Sequence, residues 1–186
     1  DGSILNPENF AAIEQSITSA TPALTFDTDT LQVSGGLTGI GHYGVNQDGS
    51  LVSVFPFQAV DLSSPPVITG KLPFVLMSET NLRVNTSITV DGSKGSHTQH
   101  GIGISGGGDG GDANRPETPG NPLDGQGLGG SLGNSLGTDL TTSGGAGFGG
   151  SGGDGGDGSS VGGSLYGDAE LSSLIGGSGA GGTLNK

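Results

Sequence analysis

Four aspartates set in glycine come nearest to carrying chemistry in this sequence: Asp109 and Asp112 in GGGDGGD, and Asp154 and Asp157 in GGDGGDG. A hard cation such as calcium takes six to eight oxygen ligands, and converging carboxylates supply several of them. The nonapeptide pattern of calcium-binding glycine repeats is absent, because no apolar residue follows each Asp at the required position. The residues therefore favour solvated acids that maintain solubility, with calcium as the alternative cofactor. His97 and His100 form HTQH, a spacing that chelates zinc only when both rings point the same way and a third ligand arrives. In their Ser- and Gly-rich setting the pattern reads as an exposed loop. His42, beside Tyr43, has no Ser or Asp partner in a recognisable motif. GIGISGGG at 101–108 has neither the strand-to-helix context nor the lysine of a nucleotide loop. The five basic residues, Lys71, Arg83, Lys94, Arg115 and Lys186, are scattered, and no paired carboxylates mark a glycosidase-type cleft. The sequence shows no catalytic set.

The elements that must position these residues divide by composition. Of 42 glycines in 186 residues, 32 follow His100, whereas the first hundred residues hold most of the β-branched and aromatic side chains. A conventional core belongs to the first half. Eighteen acidic against five basic side chains give a net charge of -13, which repels nucleic-acid phosphate and anionic lipid. Nucleic acid is excluded as a partner. There is no cysteine, so disulfides, thiolate metal sites and a cysteine nucleophile are excluded too. No apolar run approaches the roughly 20 residues of a membrane span. Few lysines and many Ser, Thr, Gly and Asn suit an exported protein, and a start at Asp1 suits processing from a longer precursor.

Along the chain, Asn6-Pro7-Glu8 reads as a helix start, and Phe10, Ile13 and Ile17 follow at helical spacing. The spacing predicts a short helix to about Thr18, the competing reading being an extended arm. ALTFDTDTLQV alternates, with Leu24, Phe26, Thr28 and Thr30 on one side, as a strand with one wet face. LVSVFPFQAVDL is apolar on both parities and predicts a strand covered on two sides, with Pro56 pointing to an edge or a bulge. PVITG, PFVLMS and LRVNTSITV follow at even spacing, which indicates a sandwich, barrel or β-helix. Later, glycine runs in triplets through Gly147-Phe148-Gly149, Gly150-Ser151-Gly152, Gly153-Asp154-Gly155 and Gly156-Asp157-Gly158. Three residues per turn without internal hydrogen bonds is polyproline-II geometry, which leaves peptide groups free to bond neighbouring segments. One such rod places Phe148, Ser151, Asp154 and Asp157 on one edge and glycine on the other two; an irregular glycine loop over the β core is the competing reading.

The order FDTDT, VSVFPFQAVDL, LPFVLMSETNLRVNTSITVDGS and then glycine blocks ending YGDAELSSLIGGSGAGG resembles exported bacterial right-handed parallel β-helix surface proteins with a glycine-rich insertion. The resemblance runs over 24–182 and implies architecture and location, not an activity. Its relatives continue into further strands where this chain reaches Lys186, so either the chain is a processed fragment or a neighbouring copy supplies the missing rungs. The expected fold is all-β, with a β-helix-like or β-sandwich N-terminal half and a polyglycine-II-like C-terminal half. An arm or short helix spans 1–22, a β-rich core 23–92 and a glycine-rich region 93–186. The expected function is a non-catalytic extracellular structural protein that self-assembles with identical copies, residues 3–20 being the candidate exchanged arm. The alternative is an adhesin or carbohydrate-binding segment, with Tyr166 and Phe148 presented to a surface polysaccharide.

Overall fold

The computed structural model describes residues 9–46, 49–94, 99–111, 125–128, 130, 145–147, 151–154, 161–167 and 177–181. The chain divides into two units, Asp1–Val90 and Asp91–Lys186. Regular structure among the described residues is all β. It comprises β1 (Leu24–Asp27), β2 (Gln32–Gly35), β3 (Gly39–Ile40), β4 (His42–Val45), β5 (Leu51–Phe57), β6 (Val60–Leu62), β7 (Val67–Thr69), β8 (Phe74–Ser78) and β9 (Leu82–Val84). These form three small sheets, ordered β3-β2-β1-β7, β4-β5-β8 and β6-β9, the first two mixing parallel and antiparallel pairs.

In the first unit the chain passes through the three sheets in the same order twice. β1, β5 and β6 take one sheet each; β7, β8 and β9 then repeat that order, each parallel to its predecessor. Phe55 pairs with Leu76 and Asp61 with Arg83, so a circuit returns after 21 or 22 residues. Thr25 pairs with Val67, 42 residues on, because β2, β3 and β4 are inserted between β1 and β5. That insertion folds antiparallel onto the first circuit, β2 on β1 and β4 on β5. Gly41 makes its corner: a methyl group there would lie 2.6 Å from the Val54 carbonyl oxygen and 2.8 Å from the Phe55 ring.

The helix expected to run to Thr18 is not formed among the described residues. Ile13 instead bridges Phe57, and Ile17 bridges Val60, both in parallel. The Ile13 N–H donates to the Pro56 carbonyl at 2.7 Å and the Ile17 N–H to that of Ala59 at 3.0 Å. A four-residue spacing serves one helix face, and it serves equally two inward positions on either side of a strand corner. A helix of this length is marginal in water by itself, and the flanks of β5 and β6 offer carbonyls that need donors. Pro56 marks neither an edge strand nor a bulge: β5 is the central strand of its sheet, and Pro56 stays in continuous register with Met77. On β5 the odd-numbered Ser53 and Phe57 bond towards the β8 side, so the even-numbered Pro56 faces the arm, where its carbonyl accepts and its missing N–H is not required.

The core joins the circuits. Ile17, Leu24, Phe26, Val33, Phe55, Phe57, Val60, Leu62 and Ile68 form one buried cluster. Phe26 sits edge-on to Phe55 at 5.1 Å between ring centroids and to Phe57 at 6.4 Å, and lies 5.1 Å from Phe74. Burial of apolar surface at about 25 cal/mol per Å2 makes these rings the main stabilising contribution of the unit.

The second unit is held differently. A hairpin over 101–111 turns at Ser105 and Gly106, both at positive φ (51° and 83°), with the Gly107 N–H bonded to the Ile104 carbonyl. From its second limb, Gly108 donates to Gly177 at 2.6 Å and Gly111 to Ala180 at 2.7 Å, a step of three residues on both segments. Gly179 donates to Gln126, and Gln126 to Asp109, closing a circle of bonds among three segments. A second circle runs from Gly145 to Gly153, from Gly152 to Gly163 and from Gly163 back to Gly145. In both circles a methyl group on glycine would strike the carbonyl of the segment bonded the other way: Gly108 against Gln126, Gly125 against Gly179, Gly179 against Asp109, Gly152 against Gly145, Gly162 against Gly152. Each pair thus joins an N–H to a carbonyl in one direction and sets a bare Cα against a carbonyl in the other. Of the triplet run, Gly147 and 151–154 are described, and the Gly145 N–H bonds to the Gly153 carbonyl at 2.8 Å; the rest of the expected rod lies outside the described residues.

Candidate assembly surfaces

The two circuits leave the first unit with unlike ends. At one end, β2, β4 and the arm at Ile13 and Ile17 cover β1, β5 and β6. At the other, β7, β8 and β9 each have a strand neighbour on one side only among the described residues. Val60 and Asn85 donate to Asn81 and Leu62, so the alternate residues Leu82 and Val84 direct their peptide groups away from β6. Their side chains and that of Val67 are exposed, 51% for Leu82, 41% for Val84 and 52% for Val67. Soluble sheets blunt such edges with lysine, proline or bulges; here Arg83 is the one basic residue within the three strands, and its Nε donates to Asn85 Oδ1 at 3.1 Å.

A polar corner fixes the turn from β1 into the insertion. The Asp27 carboxylate accepts the Asp29 and Thr30 N–H groups at 3.0 and 2.9 Å, ahead of Leu31 at φ 62°. The Thr30 backbone bond, aided by the Thr30 hydroxyl and the Asp29 N–H, holds the Asp27 carboxyl below the usual carboxylate range against an opposing desolvation. The Asp29 carboxylate accepts the Lys71 N–H at 2.7 Å, and its carbonyl accepts the Tyr43 hydroxyl at 3.1 Å. Thr28 donates through both its N–H and its hydroxyl to the Thr69 carbonyl, and the buried Ser53 hydroxyl donates to the Thr28 carbonyl at 2.6 Å. These polar groups are engaged in holding backbone. His42 is engaged likewise: its Nε2–H donates to the Ala11 carbonyl at 3.0 Å.

No family model, curated protein or solved structure matches this chain.

Two of the four aspartates picked out by spacing, Asp109 and Asp154, are brought to backbone donors. Asp109 accepts the Gly103 N–H at 2.7 Å across its hairpin and lies 4.0 Å from His100 Nε2. Asp154 accepts the Gly162 N–H at 2.8 Å. Asp112, Asp157, His97 and Phe148 lie outside the described residues. Among the described residues no three His, Cys, Asp or Glu side chains group as metal ligands, and no helix is long and apolar enough to cross a membrane. Tyr166 is half-buried beside the exposed Leu165. Sequence reasoning missed Ser53 and the Asp27–Asp29 corner. The signal for the corner was present in DTDT, since an Asp whose side chain bonds the N–H two residues on is a turn former.

Proposed function

We propose that this chain is a non-catalytic structural protein of the extracellular space that assembles with identical copies into a filament or matrix. One observation carries the reading: the first unit is capped by its own chain at one end and presents three strand edges at the other, two of them, β7 and β9, with exposed apolar side chains. Exposed edges template the pairing of a further chain. On this reading the repeated circuit is a short parallel β-helix, as the resemblance to exported β-helix surface proteins implies. The glycine segments are polyglycine-II helices, supported by the three-residue step of their bonds and by bare Cα atoms packed on carbonyls. The export assignment is supported by the acidic, lysine-poor composition.

The test is light scattering with electron microscopy of the purified chain over a wide concentration range. The expected result is mass that rises with concentration and elongated particles; a monodisperse monomer throughout would reject the proposal. A second reading, an adhesin or carbohydrate-binding segment, is favoured by the apolar Leu128, Val161 and Leu165 exposed on the glycine unit. It predicts that removal of 93–186 abolishes retention on a polysaccharide column and leaves the oligomeric state unchanged.

A further inference from the structure

We propose that the segment 9–17 is exchanged between copies, the arm of one chain filling the flank of β5 and β6 in the next. The inference rests on the assembly reading and adds to it a contact at the capped end, apart from the open edges of β7, β8 and β9. Nearly every bond the arm makes crosses to another part of the unit. Ile13 and Ile17 donate to Pro56 and Ala59; Gln15 and Ile17 accept from Gln58 and Asp61; the Gln15 side chain reaches the Thr38 carbonyl; and Ala11 accepts from His42. Its apolar side chains also serve the far side. Ile17 is 2% exposed within the core, and Ile13 fills the space left by Gly39, where a methyl group would lie 3.1 Å from it.

An element bonded in this way is replaced by an identical arm with every contact kept, so exchange costs no contact energy and is decided by the connecting residues. Residues 18–23 form a tight connection. Thr21 donates to the Thr18 carbonyl, the Thr18 N–H donates to the Thr21 hydroxyl, both at 2.9 Å, and Pro22 lies against Gly36. Short constrained hinges favour exchange, because opening releases the turn. Opened, six residues span at most about 20 Å, which sets the reach of the exchange. The surface given and the surface filled are different, so each copy donates to one neighbour and accepts from another. The contact propagates unless its rotation closes.

The chain has no cysteine, so an introduced pair reports unambiguously. Gln15 and Gln58 are both exposed, and the Gln58 N–H lies 3.3 Å from the Gln15 carbonyl, which brings their backbones within disulfide reach. In assembled material, the Gln15→Cys, Gln58→Cys double variant is expected to give a ladder of linked chains on a non-reducing gel. An equimolar mixture of the two single variants, assembled together, is expected to give linked dimers. If light scattering shows assembly and the double variant still runs wholly as monomer, the arm stays on its own chain and the proposal is overturned, while the assembly reading stands. If light scattering shows only monomer, the assembly reading itself fails. Ile17→Asp, which unseats the arm from any acceptor, is expected to abolish assembly; assembly at the wild-type level would also overturn the exchange.

Discussion

The two units solve the same problem, burying peptide groups with few charges to spare, by opposite means. In Asp1–Val90 the side chains decide: phenylalanines at 26, 55, 57 and 74 meet across the circuit. In the described part of Asp91–Lys186 the backbone decides, because segments lie so close that the atom beyond Cα must be hydrogen. The first arrangement tolerates changes of backbone and punishes changes of side-chain volume. The second does the reverse, as in collagen, where only glycine fits at the crowded axis.

Substitutions sharpen that contrast. Phe26→Ala removes the ring shared by three aromatic contacts and is expected to cost about 3–5 kcal/mol in denaturant unfolding of the first unit. A loss under about 1 kcal/mol would mean that the rings do not hold the circuits together. Gly179→Ala adds one carbon, yet that carbon strikes the Asp109 carbonyl, and about 1–3 kcal/mol is expected to be lost. Amide exchange at Gly108 and Gly111 should accelerate with it. Gly153→Ala and Gly177→Ala are the controls, since a methyl group at either meets open space and neither lies in the left-handed region. Both should leave stability unchanged or raise it by up to about 1 kcal/mol through the unfolded chain. Equal effects at 179 and 177 would break the account of the glycine unit.

Parts of this were legible in the residues. Even spacing of PVITG, PFVLMS and LRVNTSITV is the all-β circuit itself, and apolar residues on both parities of LVSVFPFQAVDL correspond to a strand buried from Val52 to Phe57. The arm was not legible, because Ile13 and Ile17 satisfy a helix and a strand corner with the same spacing, and only the free flank of β5 and β6 distinguishes them. The triplet run was legible as period and not as path. Three-residue periodicity says that peptide groups will bond outward, but it does not say that Gly145 will bond to Gly153 or Gly152 to Gly163, since partners are chosen by how segments meet and not by their period. The aspartates were the least legible: a carboxylate among glycines meets a cation or a backbone N–H with equal ease, and Asp109 and Asp154 both meet an N–H.

The smallest effect expected concerns acid, and it separates the units because the Asp27 corner lies in the first. The folded state holds the Asp27 carboxyl below its ordinary value, so the unfolded chain binds its proton first as pH falls. The stabilisation from this group is therefore complete above the ordinary carboxylate value, near 4. It declines as pH drops through that value and is gone below the lowered folded one. Two hydrogen bonds to a largely exposed carboxylate contribute at most about 1 kcal/mol after screening by water. Asp27→Asn keeps the shape and removes the charge. Relative to the native chain it is expected to be less stable by about that amount at pH 7 and to approach it in stability near pH 2. A difference that persists unchanged at pH 2 would mean that the turn is held by shape alone, with Leu31 in its left-handed conformation set by packing and not by the carboxylate.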